Sequence, residues 1–435
     1  MSKTNYVLMT AIVILIASSL QAQVLYDLTD LGEGAAYGIN NSGQVVGDSN
    51  DRPVIFDSTG GGSNTYLADE GVAWSINNNG QIVGQIGILV GQQYAVLFDP
   101  DSDVNNVILG NGCAYSINNA GEIVGYERSD GIIIAGSERA TLFSAAADGN
   151  NTDLGNGKAY SINDNGQAVG VTWESFLLPI RATLFDTTGE EANIDLGAPG
   201  SGYSYARSIN NSAQIVGYYN GPHWIGHPPP PYADDEFAML FDSTGDGNNI
   251  NLGRLHDDDY ASMAYSINNN DQIVGCAYTS SGEKHAVMFD STGDGNNLDL
   301  NDLIDPAPGW TLSEARCISD NGWIAGQMTN SEGDEHAFLL TPTPLKIAID
   351  NIDEAIAQKL YALETIDIAL EEESAALEAL NEMLVGGDFG GLIRRDIRRA
   401  KLRIYGSIYR QMRSKAELRS SIEGLERSLE LLNAN

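Results

Sequence analysis

The sequence predicts an all-β repeat domain, a seven-bladed β-propeller closed by its N-terminal strand, followed by an all-α antiparallel helical hairpin. Three observations predict it. A phrase built on Ile-Asn-x-x-Gly-x-Val-Gly recurs seven times, a spare strand precedes the first copy, and the composition changes abruptly at Lys346. The phrase reads AYGINNSGQVVG from Ala36 and AWSINNNGQIVG from Ala73, and its shared isoleucines are Ile39, Ile76, Ile117, Ile162, Ile209, Ile267 and Ile318. Their intervals are 37, 41, 45, 47, 58 and 51 residues. Such a period marks stacked supersecondary units, each too small to bury its own apolar face alone.

Within a copy, apolar residues alternate at a period of two, the signal of a half-buried strand. In the second copy this places Trp74 and Ile76 on one face and Ser75 and Asn77 on the other. Asn77-Asn78-Asn79-Gly80 follows, a run of residues that tolerate the positive φ of tight hairpins. Gln81–Gly84 gives a second strand and Tyr94–Phe98 a third, matched by ATLF at Ala140 and Ala182. A polar turn, fullest as DSTGDGNN at Asp242 and Asp290, leads to a short fourth strand such as NIDLG at Asn193. Four antiparallel strands in roughly 46 residues is the size of one propeller blade. The seventh copy ends at Leu340 with no fourth strand, whereas Leu25–Gly32 stands unused before the first. Pairing those two would close the ring and remove its open edges.

Residues 1–22 read as a secretory signal peptide: Lys3, an apolar run from Val7 to Leu20, and small Ala22 at the cleavage point. The run is shorter than the ~20 residues that span a bilayer. The expected domains are therefore 1–22 as signal, 23–345 as propeller and 346–435 as hairpin, with a secreted, extracellular location; periplasm or cell surface remain open. Cys113, Cys276 and Cys317 have no metal-ligand spacing and are odd in number, so they read as buried small residues. The net charge is −36, and residues 1–345 hold 10 basic against 43 acidic side chains. Such a surface repels nucleic acid and anionic membranes.

From Lys346, Ile349, Ile356, Leu363, Leu370, Leu377 and Leu384 fall every seventh residue, a coiled-coil stripe. Gly386–Gly391 breaks it, and a second helical run extends to Leu432. The runs 346–384 and 389–432 carry nets of −8 and +6, which favours antiparallel pairing. Their apolar stripes are wider than one two-stranded seam needs, so the hairpin is a candidate homo-oligomer module.

The repeated phrase, closing in His285-Ala286-Val287-Met288-Phe289 and His336-Ala337-Phe338-Leu339-Leu340, resembles the extracellular repeat family named for its His-Ala-Phe (HAF) triplet. The resemblance covers about residues 36–340; only the last copy has the full triplet, and other copies place Tyr, Arg or Phe where His would stand. It implies secretion and a repeat fold, and it assigns no activity and no catalytic residues.

The acidic turns invite a calcium reading at Asp242, Asp246, Asp290 and Asp294, since oxygen ligands fall at positions 1, 3 and 5 with Gly at 6. An EF-hand would need an acid at position 12, where Gly253 and Asn301 stand. A hairpin turn selected for its backbone angles is the competing account. No nucleophile elbow, metal-ligand pair or phosphate loop occurs, so no catalytic residue and no cofactor is expected. The turns after first and third strands are short and uniform, whereas the opposite face carries long, variable connections with aromatic residues. Tyr126, Trp173, Tyr218, Tyr219, His223, Trp224 and Tyr232 are the candidate ligand contacts there. The leading expectation is a secreted, non-catalytic protein binding an extracellular saccharide or protein through that face. A structural envelope protein assembled by its hairpin is the alternative, and a propeller-based hydrolase or lyase the third.

Overall fold

A computed structural model describes the chain except residues 1–24, 88–92, 102–104, 129–136, 174–179, 189–191, 198–201, 221–235, 257–260, 306–308, 387–402 and 428–435, and single positions between 406 and 426. The signal-peptide expectation lies outside the described residues. The chain divides into two compact units, Val24–Pro342 and a second one containing Thr343–Asn435. The first is mainly antiparallel sheet, and the second is a helical pair.

Repeats one to six each lay down four strands in consecutive order, and repeat seven lays down three. In the first repeat they are Ala35–Ile39, Val45–Ser49, Arg52–Phe56 and Thr65–Tyr66. In two places the fourth strand of one repeat runs unbroken into the first strand of the next, as Val107–Ile117 and Thr152–Ile162. That continuity merges three repeats into one ten-stranded sheet, which the repeat spacing alone did not foretell. The spare N-terminal strand Tyr26–Glu33 pairs antiparallel with Glu335–Pro342, the third strand of repeat seven.

The turn after each first strand explains the Asn-Gly phrase. Asn40 N–H donates to Gln44 O, and Gly43 N–H donates to Asn40 O. This is a three-residue loop whose last member takes a left-handed φ, +76° at Gly43. The Asn40 side chain, 3% exposed, accepts from the N–H groups of Ser42 and Gln44 and donates to Gln44 Oε1 and to Asn77 O of the next repeat. Asn77, Asn118, Asn163, Asn210 and Asn268 repeat that last link, each to the carbonyl at the matching turn position one repeat on. One residue along, Asn41, Asn78, Asn119, Asp164, Asn211 and Asn269 each donate their N–H to the side-chain Oδ1 of the next repeat's counterpart. Asp320 completes the series by donating to Asn41 Oδ1.

The apolar core is distributed in the same cyclic way. Seven buried clusters each combine residues of two consecutive repeats; one holds Val46 with Ala73, Ile76 and Val96. The cluster of Ala36, Val45, Val54 and Phe56 with Cys317, Ala325, Ala337 and Leu339 joins repeat seven to repeat one.

In the second unit a helix spans Pro344–Gly386, with proline in the first turn where its missing N–H costs nothing. Residues 403–405, 410–416 and 418–422 are helical as well. Lys415 pairs with Asp367 and Gln411 with Glu373, so the two segments run antiparallel, as the opposite charges of the two runs predict. Leu363, Leu377 and Ile422 are buried, whereas Tyr361, Ile368, Tyr405 and Met412 are more than half exposed. No described helix is long and apolar enough to cross a membrane.

Candidate functional site

Strict alternation in the first strand does not survive folding, and its failure creates the most distinctive feature of the molecule. In every repeat the register of first and second strands shifts by one residue. In the second repeat Ala73 pairs with Gly84 and Ser75 with Val83, leaving Trp74 as the extra residue of a β-bulge. Ala73 and Ile76 thereby reach the same buried cluster, and Trp74 turns away from it, contrary to the expected sharing of a face by Trp74 and Ile76. The bulged residues of the seven repeats are Tyr37, Trp74, Tyr115, Tyr160, Arg207, Tyr265 and Arg316.

The close approach that the bulge demands accounts for the last glycine of the phrase. A Cβ on Gly217 would stand 1.9 Å from Tyr205 O, and one on Gly84 2.0 Å from Val72 O. The equivalent glycines of the other five repeats meet the corresponding carbonyl at 1.9–2.0 Å.

The seven bulged side chains form a belt. Tyr37 and Trp74 lie with ring centroids 4.5 Å apart, Trp74 and Tyr115 5.7 Å, Tyr115 and Tyr160 5.2 Å. The Arg207 guanidinium lies 4.8 Å from the Tyr160 ring and 6.0 Å from that of Tyr265. Arg316 lies 4.8 Å from Tyr37. One turn face away, Ile39-Asn40-Asn41 and their counterparts from all seven repeats line a polar cavity of about 160 Å³.

Basic groups gather on and beside this belt. Arg316 Nη2 bonds Glu314 Oε2 at 2.6 Å and donates to Gln327 Oε1 at 3.1 Å, while Lys284 pairs with the other oxygen of Glu314. Arg128 and Lys158 share Glu138 at 3.3 and 3.8 Å and both lie over the Tyr126 ring. Burial pulls the Lys158 ammonium below the ordinary lysine value, Arg128 adding to the shift and Glu138 opposing it. Residues 24–342 hold nine Lys and Arg, and five of them (Arg128, Lys158, Arg207, Lys284 and Arg316) stand here.

The structure separates the candidate residues. Tyr126 is buried beside the belt, its ring 5.8 Å from Tyr115 and its hydroxyl donating to Gln93 Oε1 at 3.0 Å. Tyr218 also stands there, stacked on Tyr205 at 4.8 Å. Its sequence neighbour Tyr219 points to the other face of the sheet and stacks on Phe237 at 5.1 Å within the packing between repeats four and five. Trp173 is half-buried just past the strand Ala168–Thr172. His223, Trp224 and Tyr232 lie outside the described residues. Two of the named aromatics therefore converge on the belt. The belt itself was missed, although its signal is legible: the residue two before each shared isoleucine is aromatic or Arg in all seven copies.

The acidic turns are self-contained. Asp242 Oδ1 accepts from Thr244 N–H and Oγ1, and Oδ2 accepts from Asn248, which lowers its pKa to about 2. Asp290 holds Thr292 and Asn296 in the same way. Asp246 and Asp294 place their N–H groups 3.3 Å from the Thr244 and Thr292 hydroxyls. Among the described residues no group of three His, Cys, Asp or Glu side chains could hold a metal ion. His285 Nδ1 bonds Asp299 Oδ2 at 2.6 Å, and His336 bonds Asp30 across the closing strand pair at 3.0 Å. Burial pushes the Cys276 and Cys317 thiols up to about 12 and Cys113 upward too, so none of the three is a thiolate at neutral pH.

No protein-family model, curated protein or solved structure matches this chain.

Proposed function

We propose that this chain is a secreted, non-catalytic repeat protein. Its seven repeats form a seven-bladed propeller closed by the N-terminal strand, and it binds an extracellular saccharide or protein at the face of variable loops. The belt of aromatic and arginine side chains carries this reading. Bulges are where sheets re-aim side chains, and seven bulges here turn large rings and guanidinium groups toward one another instead of into the core. Aromatic faces held on a rigid scaffold are suited to sugar rings and peptide side chains. The resemblance to the HAF repeat family supports the extracellular location. A glycan and peptide binding screen on the secreted chain tests it: selective binding is expected, and no ligand across both libraries overturns it.

A second reading has its own observation. Tyr361 is 75% exposed and Met412 60% on helices that already pair with each other. Apolar stripes left open on a two-helix unit suit self-association into a four-helix bundle, so the hairpin is an assembly module. Sedimentation of the full chain and of one truncated at Thr343 tests this, with loss of the oligomer expected on truncation.

A further inference from the structure

Two arginines occupy the same bulged position, and among the described residues only Arg316 has a carboxylate partner. Two residues before Arg316 stands Glu314, 6% exposed, whose carboxylate bonds that guanidinium at 2.6 Å. Two residues before Arg207 stands Tyr205 instead. Among the described residues no carboxylate pairs with Arg207; its neighbours are the rings of Tyr160 and Tyr265, with Tyr205 stacked on Tyr218 beside it. Arg207 is also partly exposed, so solvent reaches it. A partly desolvated guanidinium without an anion is costly, and the anomaly is sharper in a chain of net charge −36 that has acids to spare.

We infer that Arg207 binds the carboxylate of an acidic sugar, a uronate unit or end group, whose ring packs on the flanking tyrosines; this rests on the ligand-binding reading above. The planar guanidinium fork matches a carboxylate with two parallel hydrogen bonds. The Tyr160 ring lies 4.8 Å from the guanidinium, and the stacked pair of Tyr205 and Tyr218 stands beside it. The acidic exterior disfavours long polyanions through general repulsion, and favours one carboxylate presented on a short or terminal group.

The repeat itself supplies a variant that preserves the fold. Tyr holds the equivalent bulge in four copies, at Tyr37, Tyr115, Tyr160 and Tyr265, so Arg207→Tyr restores the commonest belt residue. Glucuronate, glucose and a short glutamate-rich peptide are titrated calorimetrically into the full secreted chain and into Arg207→Tyr, with melting temperature measured for both. The expected result is glucuronate binding at least tenfold tighter than glucose, and at least tenfold weakening in Arg207→Tyr at a melting temperature no lower than the parent's. Glucuronate binding equal in the two proteins, or no stronger than glucose, overturns the assignment. Peptide binding that depends on Arg207 without glucuronate binding overturns the sugar class. A neutral glycan bound equally by both proteins overturns the Arg207 site while leaving the broader ligand-binding reading intact.

Discussion

The main-chain N–H of Asp320 donates to Asn41 Oδ1 at 2.9 Å across 279 positions of sequence, and Asn41 Nδ2 returns a bond to Asp320 Oδ2 at 3.0 Å. It is the same link that ties each earlier turn to the next, made here between the last repeat and the first. The pairing of Tyr26–Glu33 onto Glu335–Pro342 joins the same two ends of the repeat array.

Asn41→Ala removes both bonds to Asp320 and should lower stability by about 1–2 kcal/mol, at one bond's net worth each. Ser42→Ala, in the same turn, should cost far less. Deleting residues 24–32 uncovers the edge of Glu335–Pro342 and should yield aggregation or a markedly lower melting temperature. Unchanged melting and solubility of the deletion protein, read by calorimetry, would contradict the proposed closed ring.

Gly217→Ala puts a Cβ against the Tyr205 carbonyl, so the bulge must open. The expected loss is about 3 kcal/mol, the upper end for overpacking, with weakened Tyr205–Tyr218 stacking in near-ultraviolet circular dichroism. Gly282→Ala meets nothing within 4 Å and carries only the strain of φ +86°, about 1 kcal/mol. Equal losses from both in denaturant titration would count against the bulge as the origin of the repeated glycine.

Burial opposes ionisation of Asp299, but the bonds from His285 and Asn301 outweigh it and hold the carboxyl below its ordinary value. A depressed folded-state pKa contributes stability that is present above the unfolded value and lost as pH falls through the folded one. Melting temperature should therefore decline below about pH 4, and Asp299→Asn should lessen that slope while lowering stability at neutral pH. A pH profile identical to that of the parent would remove the pair from the account.

Calcium at millimolar concentration should shift the melting temperature by less than about 1 °C, because mass action needs a site with oxygens to offer. Those of Asp242 and Asp290 already accept from Thr244, Thr292 and the asparagines of their own turns. A larger rise that disappears in the double variant Asp246→Asn, Asp294→Asn would instead establish the turns as metal sites.

Much of the architecture was legible because its signals are local. Asn40 and Gly43 reveal their turn from residue type alone, and a fourth strand missing at one end and spare at the other implied the Tyr26–Glu33 pairing. His285 and His336, which stand at the HAF position, each hold an aspartate of the neighbouring strand. Tyr126 and Tyr218 were found as aromatic residues near variable loops. Arg207 was not, because a lone arginine in a phrase that otherwise favours tyrosine carries no sign of where it points.

The repeat, its turns and the opposite charges of the two C-terminal runs, which meet at Lys415 and Asp367, can be read from the residue string. Each of these depends on residues a few positions apart or on bulk composition. That the residue two before each isoleucine bulges out of the strand alternation and joins a belt depends on contacts between strands and between repeats. A pattern of period two has no place for an extra residue. The carbonyl that forbids a Cβ at Gly217 belongs to another strand, and the rings that meet Arg207 come from the repeats on either side. That Arg316 has a carboxylate partner and Arg207, among the described residues, has none becomes visible only when those neighbours are in place.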